Sequence, residues 1–404
     1  MVMIEEVYDA VPIAEATPLF PPRPDAIVTM LTSDDFLPGA QTLLYSIKKS
    51  LSKNSAYPPE LVVIVTPNVS KATREALHPA YCTRIIEVDP IHFPEKAIEN
   101  KQVTSHVKAW SAQGALTKLH IFRLDNYDVI LYIDADCLVV KDVTSLLELG
   151  KVYQDSEALV SAAPDILPPD KFNAGVLVVR PSQEVFDNMM QQRVLLTTYD
   201  GGDTGFLNAY FSNWYTDMPP FARLKFGFNA QRFLYHCTYE KQPNYWDLSV
   251  APDLHILHFS SSPKPWESKP SAAEDTDAQE HVQEEDMQTL TKVKKSAELE
   301  ALWWKWYSKS QNYAQTYARE QSDAEEKWGE EIAAAKKQAL SQKRVVPKDA
   351  KEAHKLVTAR YRELRREGVD SKVAMGQARR EYGQDVDVDA GSQVAAMFGL
   401  SSMM

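Results

Sequence analysis

A series of short apolar runs sets the terms for this chain. AIVTML (26–31), ELVVIVTP (60–67), RIIEVD (84–89), VILYID (129–134), ALVSAA (158–163), GVLVVR (175–180) and HILHF (255–259) read as strands. Several lack the polar–apolar alternation of a strand with one wet face, so they belong in a sheet covered on both sides. Between them lie stretches with helical spacing: PGAQTLLYSIKKSL (38–51), SKATREAL (70–77), SAQGALTKLHIFRL (111–124), SQEVFDNMMQQRVLL (182–196) and DTGFLNAYFSNW (203–214). Ser70 and Ser182 are placed to cap two of these. Strand–helix alternation predicts an α/β fold with a mostly parallel sheet, whose ligands bind beyond the carboxyl ends of the strands.

The 404 residues, 44% of them hydrophobic, suffice for a large core with an appendage. Residues 1–24 read as a poorly ordered lead-in and 25–270 as the α/β domain. An acidic linker follows over 271–290, then a helical extension over 291–404 with breaks at Pro347 and Gly368. The aromatics of AELEALWWKWYSKSQNYAQTYA are dense enough to dock that extension's start onto the main domain. A net charge of -12 argues against general nucleic-acid binding, though not against a small anion in a local basic pocket. Cys82, Cys137 and Cys237 are scattered with no CxxC pair, as in a reducing compartment. With no signal-peptide pattern and no run of membrane-spanning length, a cytoplasmic location is expected.

Two carboxylates interrupt the run LYIDADCLVV (131–140). Asp134 and Asp136, two apart at a strand end, can face one site. Like charges repel and burial penalises ionisation, whereas a hard divalent cation removes both objections. The other reading is a capping or loop pair after a strand. HILHFSSSPKPW (255–266) adds an imidazole, His258, and an ammonium, Lys264, around a small-residue turn, which suits a metal-bound diphosphate. A satisfied structural histidine is the alternative. TYDGGDTGFLNAYF (198–211) sets Asp200 and Asp203 about two glycines, either as a helix cap or as carboxylates for sugar hydroxyls. Asn173, Ala174 and Gly175 precede one strand, and Thr32, Ser33 and Asp34 follow another, each a weak pointer to a ligand.

In this order, MLTSDD, GALTKLHIF, YIDADCLVV, SAAPD…FNAGVLVVRPS, DGGDTGFLN and HFSSSPKPW resemble the retaining glycosyltransferases of family 8, the glycogenins most closely, from about Ala26 to Trp266. SAYPPELVVIVTP, FNAGVLVVRPS and LWWKWY are similar to stretches of the galactinol synthases. The resemblance implies a GT-A fold, a UDP-glucose or UDP-galactose donor and Mn²⁺, with Mg²⁺ as the alternative ion. By motif match Asp134, Asp136 and His258 would hold the metal and Lys264 the diphosphate. Leu31, Thr32, Ser33 and Asp34 would meet the uridine, and Lys118 the donor. Asn173, with Ala174 and Gly175 beside it, and Asp200 and Asp203 would surround the transferred sugar and acceptor. Ser261 stands where the family has a glycine, and Thr204 where the glycogenins have a glutamine. Tyr235 and Tyr239 fall loosely where the glycogenins carry their self-glucosylated tyrosine. The implied reaction is hexosyl transfer with retention to a glycan, protein or polyol hydroxyl. A self-glucosylating primer and a non-catalytic UDP-sugar-binding scaffold are the alternatives, and a homodimer is compatible with each.

Overall fold

The computed structural model describes residues 23–51, 58–93, 114–152, 160–166, 170–216, 219–235, 245–267, 296–341 and 350–382. Residues 1–22 of the lead-in, the acidic linker, Cys237 and Tyr239 lie outside the described residues.

A six-stranded sheet carries the main unit, in the order β3 (Arg84–Glu87), β2 (Glu60–Val65), β1 (Ala26–Leu31), β4 (Ile130–Ile133), β7 (Phe172–Val179) and β6 (Val160–Pro164). β1, β2, β3 and β4 run parallel, whereas β7 is antiparallel to both its neighbours. The missing alternation has its cause here. Ile27, Leu61, Val63, Leu131 and Val178 face one apolar cluster, while Val28, Val62, Ile64, Ile130 and Leu177 face a second on the opposite side. Helices α1 (Leu37–Ser50), α2 (Lys71–Leu77), α3 (Thr144–Lys151), α4 (Gln183–Gln192) and α5 (Asp203–Tyr210) complete the layers. Ser70 and Ser182 cap α2 and α4 as expected, accepting from the Thr73 and Val185 amides.

Three features depart from the sequence reading. LYIDADCLVV does not hold one continuous strand. β4 ends at Ile133, the chain turns through Asp134–Asp136 with Cys137 N donating to Asp134 O (3.0 Å), and β5 (Cys137–Val139) enters a second sheet with β9 (Ile256–His258) and β8 (Ala230–Gln231). The helix expected over 111–124 is instead a run of 3-10 turns, Thr117–Arg123, with 111–113 outside the described residues. Residues Thr117 to Phe122 are all buried, so contacts on every side override helical spacing. The short α3 carried no expectation.

Past the linker, α6 spans Ser296–Ser341, α7 Ala350–Arg366 and α8 Ser371–Tyr382. Two compact units divide the chain, Met1–Arg319 and Glu320–Met404. Within the first, Leu299, Leu302, Trp303 and Trp306 of α6 enter the core, and Tyr81 Oη donates to Ser310 O (2.6 Å). The aromatic run therefore docks as expected. Within the second, α7 and α8 bury Leu364, Ala374 and Ala378, and Gly368 makes the turn between them at φ +85°. Among the described residues no helix is long and apolar enough to cross a membrane.

Candidate active site

A cavity of about 470 Å³ opens beyond the carboxyl ends of β1 and β4. Because β7 runs the other way, it brings its own beginning, Asn173–Gly175, to the same edge, where Asp134 N donates to Gly175 O (2.8 Å). The second sheet supplies the opposite wall, since β5 pairs Cys137 with His258 of β9. The turn between the sheets, rather than alternation along one strand, thus aims both acids at one space.

Asp136 is the centre of the charged cluster. Its Oδ1 faces His258 Nε2 at 3.2 Å and its Oδ2 meets Lys264 Nζ at 2.5 Å, with Asp134 Oδ2 4.0 Å from the same imidazole nitrogen. Burial raises the Asp136 carboxyl, but Lys264 and then His258 more than reverse this and hold it below the usual carboxylate range. Lys118 pairs with Asp203, and lies 3.0 Å from Asp134 Oδ1 and 2.9 Å from Ala174 O. Burial alone would pull this ammonium down; the carboxylates of Asp134 and Asp203 push it up on balance, so it stays charged. The Asp203 carboxyl is raised, chiefly by burial, with Lys118 offsetting part of the effect.

Asn229 fixes the imidazole. Gly175 N donates to Asn173 Oδ1 (2.9 Å), so that oxygen is an acceptor and Asn229 must turn its Nδ2 towards it (2.9 Å). Asn229 then presents Oδ1 to His258 Nδ1 at 2.7 Å, which places a proton on Nδ1. In a neutral ring Nε2 carries a lone pair aimed at Asp136 Oδ1. Two acceptors 3.2 Å apart call for a proton or a cation between them. Two carboxylates and an oriented imidazole are a donor set that suits Mn²⁺ or Mg²⁺, so the residues fit the expected ion. Cys137 Sγ also lies close to Asp136 and His258. Burial raises its thiol well above the ordinary value, and a soft sulfur is in any case a poor match for a hard ion.

Thr32, Lys118, Asp134, Asp136, Asn173, Asp203, His258 and Lys264 all line the cavity. The remaining expected site residues do not. Leu31 is buried in the core, and Ser33 donates to Asp35 (3.5 Å). Asp34 accepts from Ser70 N at the start of α2, which lowers its carboxyl. Ala174 offers only its backbone, to Lys118 and Thr204. Gly175 leaves the room that His258 fills. Asp200 accepts from Thr198 and from the Gly202 and Gly205 amides, so it holds the first turn of α5 and does not line the cavity. Ser261 turns its hydroxyl and carbonyl to Arg232, and Ser260 and Ser262 take the cavity side. Tyr235 is buried edge-on against Trp246 (5.0 Å).

Three residues of the site escaped the sequence reading. Tyr132 Oη donates to Asp134 Oδ1 (2.7 Å) and its ring lies 4.8 Å beneath Lys118 Nζ. Its position two before Asp134 was the available signal. Asn229 and Arg232 had none, being polar residues in a segment without periodicity.

Comparison with known proteins shows the family of this chain. The description of Glycosyl transferase family 8 matches residues 27–269. Inositol phosphorylceramide glucuronosyltransferase 1 of Arabidopsis thaliana is 28% identical over 260 residues, covering 60% of this chain and 42% of that protein. Glycogenin-1 of Homo sapiens is 32% identical over 242 residues, covering 60% and 62%. The chain thus spans roughly half of such relatives' length. Among solved structures, the galactosyltransferase LgtC in complex with donor and acceptor sugar analogs superposes with TM-score 0.40 at 18% identity, over 60% of this chain and 89% of that one.

Proposed function

Since the chain belongs to glycosyl transferase family 8, we propose that it transfers a hexose from UDP-glucose or UDP-galactose to a hydroxyl acceptor, with retention at the anomeric carbon. The GT-A architecture expected from the sequence is in keeping with that family and with the mixed α/β sheet. The observation that carries the reading is Asp136, buried between His258 Nε2 and Lys264 Nζ with Asp134 beside it, at the edge of a cavity at the strand ends.

Asp134, Asp136 and His258 would hold Mn²⁺ or Mg²⁺, which supplies Lewis-acid stabilisation of the charge that develops on UDP. Lys264 stands at the same place with a point charge for the diphosphate. Thr32 is the member of the first-strand motif that reaches the donor space. Both oxygens of Asp203 are engaged, Oδ2 by Lys118 and Oδ1 by Thr204 N (3.0 Å). A carboxylate so held positions sugar hydroxyls and stabilises oxocarbenium character better than it attacks carbon. This favours the front-face path, in which the departing UDP oxygen takes the acceptor's proton.

A glycan, protein or polyol acceptor fits this chemistry. Self-glucosylation through Tyr235 is disfavoured by that residue's burial. The test is UDP release from a panel of UDP-sugars with Mn²⁺, with and without acceptors. Release from UDP-glucose or UDP-galactose is the expected result, and an inert protein across the panel refutes the reading. Hexose-step mass increments on the protein itself would establish the self-glucosylating reading instead.

A further inference from the structure

The loop after β9, Phe259–Lys264, starts from Phe259, buried in the core, and delivers Lys264 to Asp136. Two other elements support the rest of it. Arg232, just past β8, is buried, with its guanidinium 5.4 Å from the Phe259 ring. Its Nη2 donates within reach of Ser261 O (3.0 Å), Ser261 Oγ (2.9 Å) and Pro263 O (2.8 Å). Its Nη1 donates to Glu300 Oε1 (2.9 Å) in the first turns of α6. A buried guanidinium needs a counter-charge and full hydrogen bonding, and Glu300 and the loop oxygens provide them together.

The same helix backs the loop at a second point. Trp303 lies against Trp266 (ring centroids 5.4 Å), which in turn meets Phe36 (5.6 Å). At Gly39 a Cβ would strike both Trp266 and the carbonyl of Ala135, the residue between the two acids. The segment of α6 that does this lies beyond residues 27–269, outside the region matched to the family.

We propose that Arg232 and Glu300 are a positioning pair, through which the start of α6 holds the Ser260–Lys264 loop, and so Lys264, against Asp136. The start of α6 is then part of the donor site. This rests on the UDP-sugar reading only for its effect on binding, since the contacts that hold the loop are made within the protein.

Two measurements test it with the full chain. In the ligand-free protein, Lys264 is shielded and ion-paired; acylation by acetic anhydride, read by mass spectrometry of the Lys264 peptide, should quicken about fivefold in Glu300→Gln and in Arg232→Lys. An unchanged rate overturns the proposal. UDP affinity in Mn²⁺, by calorimetry, should fall about tenfold in Glu300→Gln, and the same change should cost less than about twofold in a Lys264→Met background. Equal losses in both backgrounds would show a general structural effect and overturn the positioning role. Wild-type protein that fails to bind UDP sinks the functional reading instead, and the labelling result still decides the pair.

Discussion

Gly175→Ala is the smallest change that should disable the site. In a strand interior this substitution ordinarily costs nothing and tends to stabilise. Here the added Cβ would lie 2.7 Å from His258 Nδ1 and 2.9 Å from Asn173 Oδ1, with the imidazole Cε1 closer still. Ordinary contact begins at 3.4 Å, so the ring must retreat by 3.4 less 2.7, about 0.7 Å, and more at Cε1. It cannot do so freely, because Nδ1 is tied to Asn229 and Nε2 faces Asp136 across 3.2 Å. Overpacking of this kind costs about 1–3 kcal/mol in stability. Displacing a metal-binding imidazole costs about 10- to 100-fold in metal affinity, the loss typical when its orienting partner is disturbed. Urea denaturation and Mn²⁺ titration of the same variant measure both. A variant that binds Mn²⁺ as wild type does, with unchanged stability, refutes the packing argument and the ligand role of His258 together.

Asn229→Ala removes the acceptor that sets the His258 tautomer; Mn²⁺ affinity should fall about 10- to 100-fold with little change in fold, and an unaltered titration curve would show that the amide relay is idle. Trp303→Ala empties a fully buried site on α6 and should cost about 3–5 kcal/mol in a urea titration. A loss below about 1 kcal/mol would mean that the helix does not dock as described.

The parts of this molecule that the sequence disclosed are those set by local pattern. Runs such as ELVVIV have no polar face because both of theirs are buried, and Ser70 and Ser182 cap helices by a rule that spans three residues. That Asp134, Asp136, His258 and Lys264 would share one cavity was legible because charged groups in apolar surroundings demand a common cause. The rest depended on contacts distant in sequence. Asp200 and Asp203 look alike in DGGD, but only the fold sends one to the α5 amides and the other to Lys118. LTKLHIF has helical spacing, yet its lysine is drawn into the site by two carboxylates and the backbone follows in 3-10 turns. Arg232 found its partners in Ser261, 29 residues on, and in Glu300, 68 residues on, a pairing no periodicity announces.

In the proposed reaction Asp136 would join a cation and a diphosphate in one site. Calorimetric titration of UDP into wild-type protein and Asp136→Asn, each in Mn²⁺ and in chelator, tests it most directly. Wild type should bind at least about 100-fold more tightly with Mn²⁺ than without, a difference of roughly 2.7 kcal/mol, and Asp136→Asn should lose that difference. An Asp136→Asn protein that keeps the full metal-dependent gain contradicts the account.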